Sequence, residues 1–432
     1  MNLLAKELNS ILEETIAGRM LSGLGKRLYF PKGIIAQSAE AKKLAHTANG
    51  TIGMALNKGT LMLLPAVSES LPNFSAQEIA AYAPTAGVEE VRQAWKNGLL
   101  RKNPSLKAEN CSLPVVVPGL SSGISYIADL FLDHDETILV SDPCWDNYSL
   151  IFADRRDATV AEIPFFNGST TGLDMHSIRE GIKAAAEKGP VRIILNFPNN
   201  PSGYSPSKKE AEELSDIIRE VAEAGQDVLV ICDDAYFGLF YEDDINKESL
   251  FARFSGLHEK VLAIKIDGPT KEDYVWGLRM GFITFGCKGL NADHYDALIK
   301  KLMGGIRSSV SCSNTPAQYL VLQTSKDPRT AKAKEENFAA LKQRYTAVKQ
   351  FIADNELPST LAPLPFNSGY FMSFRCIGIQ AETLRQELLN NHGIGTIAIG
   401  KNYLRVAFSS IDLDLIPLVY KTIYETAKSM SN

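Results

Sequence analysis

Short runs of apolar residues alternate with helical segments through the middle of the chain. Several runs consist almost entirely of Val, Ile and Leu, which is typical of strands covered on both faces. Residues 207–224 predict a helix, because Ser207 and Glu210 have capping-box spacing and Gly225 follows. Strands that alternate with helices predict an α/β domain with a mostly parallel sheet. The predicted strands are 114–118, 136–141, 157–163, 191–196, 227–233, 261–266 and 279–285.

The pattern changes in the last third of the chain. From Thr315 to about Asn355 it is helical and rich in charged residues. We interpret this stretch as a long connection into a second, smaller α/β domain. Residues 367–375 and 403–408 predict strands of that domain.

The N-terminal residues follow a helical pattern interrupted by acidic residues and lysine. This pattern predicts an amphipathic helix near the smaller domain and not a signal peptide. No apolar run approaches the length needed to span a bilayer, and we expect a soluble, cytoplasmic protein without a membrane partner. The apolar positions of the helix are Leu4, Leu8, Ile11, Leu12 and Ile16. The predicted segments are 1–57 as an N-terminal part of the smaller domain, 58–318 as the large domain, and 319–432 as the small C-terminal domain.

Composition limits the classes of partner. A chain of 432 residues is long for one core and predicts two or more packed units. The net charge of -5 argues against bulk nucleic-acid binding, which needs a basic surface. The cysteines contain no C-x-x-C pair, so we expect no metal site and no disulfide framework, but buried thiols in a reducing compartment. They are Cys111, Cys144, Cys232, Cys287, Cys312 and Cys376.

Two loops that follow apolar strands carry polar residues on a restricted backbone. In VVVPGLSSGISYI (115–127), a strand leads through Gly119 and Ser121 into a helix, whose N-terminus can bind an anion. A plain strand-turn-helix corner has the same pattern. In NFPNNPSG (196–203), two prolines and a glycine predict a rigid loop that gives Asn200 a fixed direction. Rigid loops at strand ends build sites in parallel sheets, although a structural turn is the alternative.

Two further motifs bring charged groups to strand ends. Asp233 ends an apolar strand, where a carboxylate needs a cationic partner, and Tyr236 follows three residues later. Lys271 follows another strand and a turn, and by itself it is more typical of a solvated loop lysine than of a catalyst. Arg279 stands between two glycines, where a guanidinium suits bidentate phosphate binding.

These motifs, in this order, resemble the class I aminotransferases of pyridoxal-phosphate (PLP) fold type I. The series is G-x-S, P-x-W, N-x-P-x-N-P-S-G, D-x-A-Y, T-K and G-x-R-x-G, over roughly residues 80–410. The resemblance implies an aminotransferase that moves an amino group between an L-amino acid and a 2-oxo acid. It also implies a large domain with a mostly parallel sheet and a smaller α/β domain. A β-lyase or decarboxylase on the same scaffold stays an alternative. A PLP-binding regulator would need a DNA-binding module, which residues 31–60 do not show.

The resemblance implies roles for single residues. Lys271 corresponds to the lysine that holds the cofactor as an internal aldimine and then moves the proton. Asp233 corresponds to the partner of the pyridinium nitrogen, and Arg405, in YLRVAF, to the clamp on the substrate α-carboxylate. The other implied cofactor contacts are Asn200 and Tyr236 at the ring O3′, Trp145 stacked on the ring, and Leu120, Ser121, Thr270 and Arg279 at the phosphate.

The resemblance also implies a homodimer with shared sites. Tyr82 resembles the tyrosine that reaches the neighbouring subunit's phosphate. Arg307 lies in a stretch that resembles one crossing to the other subunit, where an arginine can bind a distal acid group; a pair with a surface acid is the alternative. The chain departs from the family at Gly268, where Ser or Thr usually touches the phosphate, so that this hydroxyl is missing or comes from Thr270. It also departs in the acidic, bulky KEDYVW segment (271–276), which leaves the amino donor open.

Overall fold

The computed structural model describes residues 3–28, 56–57, 60–61, 74–166, 171–411 and 413–430. Its strands form a short hairpin, a seven-stranded sheet and a four-stranded sheet. The strands are β1 (Leu56–Asn57), β2 (Thr60–Leu61), β3 (Val115–Val117), β4 (Thr137–Asp142), β5 (Thr159–Pro164), β6 (Val191–Asn196), β7 (Val228–Asp233), β8 (Val261–Asp267), β9 (Gly281–Gly286), β10 (Leu361–Pro363), β11 (Met372–Cys376), β12 (Ile397–Ile399) and β13 (Tyr403–Val406).

The seven-stranded sheet has the strand order β3-β9-β8-β7-β6-β4-β5. Strands β8, β7, β6, β4 and β5 are parallel to their neighbours, whereas β9 runs antiparallel between β8 and β3. All seven runs predicted as strands belong to this sheet, with ends displaced by up to two residues. The mostly parallel sheet that the sequence predicts is therefore confirmed.

The inner strands are apolar on both faces because helices cover both faces. Every residue of β6, β7, β8 and β9 is buried. Alternate residues point to opposite faces, so that Ile194 and Ile231 join one core while Ile193 and Val230 join the other. A run without polar alternation can therefore be a strand at the centre of this sheet.

The helices lie between and around these strands. The one predicted over 207–224 spans Lys208–Glu223, with the predicted capping box of Ser207 and Glu210. The α-helices are α1 (Leu3–Leu12), α2 (Ile16–Met20), α3 (Gly23–Arg27), α4 (Ala76–Ala80), α5 (Glu89–Lys102), α6 (Leu120–Phe131), α7 (Met175–Ala186), α8 (Lys208–Glu223), α9 (Leu250–Phe254), α10 (Pro269–Glu272), α11 (Ala292–Ser309), α12 (Thr315–Lys326), α13 (Pro328–Asp354), α14 (Ala381–His392) and α15 (Ile416–Ser429). Among the described residues, no helix is long and apolar enough to cross a membrane.

The N-terminal helices lie on the large unit, and the prediction that they lie near the smaller domain is wrong for residues 3–28. Helix α1 packs on α11, and α3 packs on α6. Arg19 forms a two-pronged ion pair with Asp227, which precedes β7, at 2.6 and 2.8 Å. The predicted single helix is two helices, because the Thr15 side chain caps the backbone N–H of Gly18 and starts a new one.

The smaller unit is a four-stranded antiparallel sheet in the order β10-β11-β13-β12, covered by α13, α14 and α15. The predicted boundary at 318/319 falls inside α12 (Thr315–Lys326), and this helix packs on α4 and α5 of the large unit. The predicted boundary at 57/58 adjoins residues that the structure does not describe. The division of the chain into domains stays a prediction. Ser373 of β11 donates to the Pro201 carbonyl at 2.8 Å, which seats this sheet against loop 196–203.

Candidate active site

Loops at the carboxyl ends of the parallel strands enclose one cavity, as is usual in such sheets. Asn196 and Asp233 end the adjacent strands β6 and β7 in register. The loops after β3, β4 and β8 bring in the other side chains. The predicted site residues that line the cavity are Leu120, Ser121, Trp145, Asn200, Asp233, Tyr236, Thr270, Lys271 and Arg279; Ile124, Asn196 and Ala235 also line it.

Asp233 is buried at the floor of this cavity. Its Oδ2 accepts a hydrogen bond of 2.6 Å from the Tyr148 hydroxyl, and its Oδ1 has no partner among the described residues. Burial raises the pKa of Asp233, whereas the Tyr148 hydrogen bond and the Lys271 charge lower it. A buried acceptor without a donor is costly. The protonated ring nitrogen of PLP is a donor of the kind that Oδ1 lacks, so Asp233 fits this cofactor.

Tyr148 is one of two site residues that the sequence analysis missed. Its ring is fully buried and meets the Trp145 ring edge to face, with centroids 5.5 Å apart. The signal available was its place three residues after Trp145, on the same turn of chain. Asn196 was also missed. Its side chain donates to the Asp233 backbone carbonyl at 2.8 Å and accepts from the Asn200 backbone N–H at 2.7 Å. These two hydrogen bonds connect the loop after β6 to the end of β7.

The neighbouring carboxylate, Asp234, faces away from the cavity. Its side chain pairs with Lys265 and accepts from Ser249. Burial raises the pKa of Asp234 to about 6, and the Lys265 charge opposes this effect. Of the two adjacent carboxylates, Asp233, which the sequence analysis named, is therefore the one at the cavity.

Lys271 lies on the single turn α10, and its Nζ is 4.8 Å from the centroid of the Tyr236 ring. Burial lowers the pKa of Lys271, the Asp233 charge raises it, and the Arg279 charge lowers it further. A lowered pKa increases the neutral fraction of an amine, which is the nucleophilic form. Burial also raises the pKa of Tyr236, and the Arg405 charge opposes this effect.

The anion end of the cavity is built from backbone and one guanidinium. Helix α6 starts at Leu120 and directs its N-terminus and Ser121 into the cavity. Gly119 has a φ of 93°, and a Cβ there would lie 2.7 Å from an Arg279 terminal nitrogen. Glycine is therefore needed both for the backbone and for the space that Arg279 fills. This cradle fits a phosphate group.

Close packing of the backbone explains why position 268 is a glycine. A Cβ there would lie 2.9 Å from both the Gly281 Cα and the Met280 carbonyl oxygen. Gly281 in turn meets the backbone of Gly119 and Leu120, so three strand ends approach backbone to backbone. A serine or threonine at 268 has no room, which accounts for the departure from the family. Thr270 lines the cavity, and its hydroxyl is 3.4 Å from the Met280 carbonyl.

Arg405 enters the site from β13 of the smaller unit. It donates to the Asn200 side-chain oxygen at 2.8 Å, and its Cζ lies 4.4 Å from the centroid of the Phe371 ring. Its Nε is buried without a partner among the described residues, and burial lowers the pKa of the guanidinium. A carboxylate placed here would satisfy this donor. Because the Asn200 oxygen is used, its NH₂ group remains to donate.

Tyr82 and Arg307 do not line the cavity. Tyr82 is 68% exposed, and Arg307 lies exposed in the last turn of α11, where it donates to Ser311. Their segments adjoin, since the Thr315 hydroxyl donates to the Ala81 carbonyl at 2.8 Å. Their roles stay predictions. Within the described part of the chain, no group of three or more His, Cys, Asp or Glu residues is placed to hold a metal ion.

A half-buried lysine, a buried carboxylate and a cradle for an anion face one cavity, and together with the fold they fit a PLP-dependent enzyme. Residues 50–417 match the family model for aminotransferase class I and II. The chain belongs to this family, and it is a PLP-dependent aminotransferase of fold type I. The confirmed resemblance leaves the amino donor open.

Relatives and solved structures agree with this assignment. An aspartate aminotransferase of Pyrococcus abyssi is 25% identical over 340 residues, which cover 76% of this chain and 79% of that protein. Aromatic-amino-acid aminotransferase 2 of Thermococcus litoralis is 21% identical over 378 residues, covering 85% and 89%. In fold, the chain is similar to the crystal structure of an aminotransferase from Anaerococcus prevotii, with a TM-score of 0.73, 22% identity and coverage of 99% and 97%.

Proposed function

We propose that Lys271 binds the cofactor covalently and carries the proton during amino transfer between an L-amino acid and a 2-oxo acid. The observation that carries this proposal is the arrangement of Lys271, the Tyr236 ring and the partnerless Oδ1 of Asp233 around one cavity. Bound PLP supplies an electron-withdrawing ring that stabilises negative charge at the substrate Cα.

The chain's own groups divide the remaining tasks. Asp233 keeps the ring nitrogen protonated by an opposite charge. Trp145, fixed against Tyr148, holds the plane of the ring, and the anion cradle around Arg279 holds the phosphate. Arg405 binds the α-carboxylate, so that the Cα proton faces the Lys271 amine. The Lys271 amine, with its lowered pKa, takes that proton and returns it.

A panel of amino donors with 2-oxoglutarate as acceptor tests the reaction. We expect transfer to the acceptor and conversion of the cofactor to its amino form by the donor alone. Release of pyruvate and ammonia would instead identify a β-lyase, and carbon dioxide a decarboxylase. Lys271→Ala should remove the visible absorbance of the bound cofactor and nearly all turnover. Retained turnover without added amine would contradict the role of Lys271.

We infer a two-fold homodimer in which each site uses Tyr82 of the other subunit. The support is a large exposed aromatic, Tyr82, beside the exposed segment of Arg307 and Val310. Arg307 would then bind the distal acid group of a dicarboxylate substrate. The free state of all six cysteines supports a reducing, cytoplasmic location.

Mixing protomers tests the shared site. A hybrid of Lys271→Ala with Tyr82→Phe subunits should contain one site with both changes and one with neither, and should regain part of the activity. A monomer in sedimentation, or no rescue in confirmed hybrids, would contradict it. Arg307→Leu should impair aspartate and glutamate turnover far more than aromatic turnover, and equal losses would leave Arg307 a structural residue.

A further inference from the structure

The turn that carries Lys271 cannot hold its own position. Helix α10 is one turn of four residues, too short to be stable alone, and it follows Gly268. Tyr274, just beyond it, has a φ of 58°, a left-handed conformation that is unfavourable for a side chain of this size. The position of Lys271 therefore depends on contacts with the rest of the protein.

Two lysines from opposite sides supply such contacts to Glu272 and Asp273. Lys102, in the last turn of α5, donates to Glu272 Oε1. Lys334, on α13, lies 3.5 Å from the same oxygen and 2.6 Å from Asp273 Oδ1. Glu272 is largely removed from solvent, with 12% of its side chain exposed. Two cations and two carboxylates balance each other, so no charge of the cluster is buried alone.

The other side-chain contacts to this turn are weaker. The Thr270 hydroxyl lies 3.4 Å from the Met280 carbonyl, and the Tyr370 hydroxyl lies 3.5 Å from the Lys271 carbonyl. Ordinary hydrogen bonds measure about 2.7–3.2 Å. Lys102, in contrast, has firm neighbours: its Nζ lies 5.1 Å from the centroid of the Trp95 ring, and Trp95 donates to Asp267 at the end of β8 at 3.0 Å.

We propose that Glu272 is a positioning residue for Lys271. Through Lys102 and Lys334 it fixes the turn, so that the Lys271 amine stays between Asp233 and the Tyr236 ring. The inference rests on the proposed function of Lys271. The acidic residues of the KEDYVW segment would then serve to hold Lys271 in place. Such positioning matters because a displacement of the proton carrier by about 1 Å can cost up to a hundredfold in rate.

The test compares Glu272→Gln with Lys102→Met, with their double variant, and with Glu90→Gln. The last variant is a matched control, since it removes an exposed pair between Glu90 and Lys326. Three quantities are measured at equal cofactor occupancy: the visible circular dichroism of the bound cofactor, the single-turnover rate with an amino donor, and the melting temperature. The dichroism reports the orientation of the cofactor that Lys271 holds, independently of activity.

We expect Glu272→Gln to change the dichroism and to lower the single-turnover rate by about tenfold to a hundredfold. Lys102→Met should act in the same direction, and the double variant should lose no more than Glu272→Gln alone. Glu90→Gln should equal wild type. A Glu272→Gln protein with wild-type dichroism and rate, whatever its melting temperature, would overturn the proposal.

Two other experimental outcomes also give a clear answer about Glu272. If Glu272→Gln does not fold, Lys102→Met and Lys334→Met carry the same test, because they remove the same contacts from the partner side. If wild type binds the cofactor but transfers no amino group, the proposed function fails, while the dichroism comparison still decides the role of Glu272.

Discussion

Tyr148→Phe removes one hydroxyl from beneath the cofactor cavity and leaves the ring in place. In the wild-type protein this hydroxyl donates at 2.6 Å to Asp233 Oδ2, and both side chains are buried. Burial raises the pKa of Asp233, and the Tyr148 hydrogen bond opposes that effect. Losing the donor therefore raises the pKa of Asp233 further. A protonated Asp233 cannot balance a positive ring nitrogen, so the rate should fall.

The size of the effect follows from the kind of bond that is lost. A hydrogen bond to a charged acceptor contributes about 1.5–3 kcal/mol. Losing this bond should raise the pKa of Asp233 in the apoprotein, because the bond favours the charged carboxylate. At neutral pH the variant apoprotein should lose about 1.5–3 kcal/mol of unfolding free energy.

The sign of the pH dependence follows from proton binding. A carboxyl with a raised folded-state pKa binds protons more tightly in the folded state, so stability falls as pH rises from the unfolded to the folded pKa. Below the unfolded pKa, Asp233 is protonated in both states. The stability difference between Tyr148→Phe and wild type should therefore be smaller in acid than at neutral pH.

Two measurements check this reasoning: urea unfolding of the apoprotein at acidic and neutral pH, and the pH profile of the single-turnover rate. The acid limb should move to higher pH, and the rate at neutral pH should fall by about tenfold to a hundredfold. Tyr204→Phe is the matched control, because Tyr204 donates to the Glu210 carboxylate at 2.7 Å outside the cavity. An unmoved acid limb in Tyr148→Phe, or an equal shift in Tyr204→Phe, would refute the argument.

Three further predictions concern the cavity walls. Gly268→Ser should weaken PLP binding at least about tenfold in a cofactor titration, because its Cβ overlaps the Met280–Gly281 backbone; tighter binding would contradict the packing account. Asp233→Ala should fold but slow Cα deprotonation. Asp234→Ala should lower the free energy of unfolding in urea by about 3–5 kcal/mol, because it removes a partner of buried Lys265. The reverse pattern would exchange the roles of the two residues. Arg405→Met should raise KM for amino and 2-oxo acids alike, and an unchanged KM would remove the carboxylate clamp.

The central sheet was predictable because it depends on local pattern, whereas the role of Lys271 came from the resemblance of the whole motif series. Runs such as 191–196 and 227–233 are mostly Val, Ile and Leu, which is typical of strands covered on both faces in an alternating α/β chain. Loops after such strands share one edge of the sheet, so Asn200 and Asp233 could be placed together from their positions in the chain. The side of the molecule on which α1 packs was not predictable. An amphipathic pattern shows which face of a helix is buried but not which element that face contacts.

The sequence by itself determined the fold class, the order of the seven strand segments and the residues whose motifs imply a cofactor. Only the tertiary structure decided which side chains support them. Tyr148 and Asp233 are 85 positions apart in the sequence, and Lys102 and Glu272 are 170 apart. Contacts between such distant residues produce no periodic pattern in the sequence. Hydrophobic periodicity records which face of an element is buried. The partner of a buried polar group is set by how distant elements pack, and that is decided only when the chain folds.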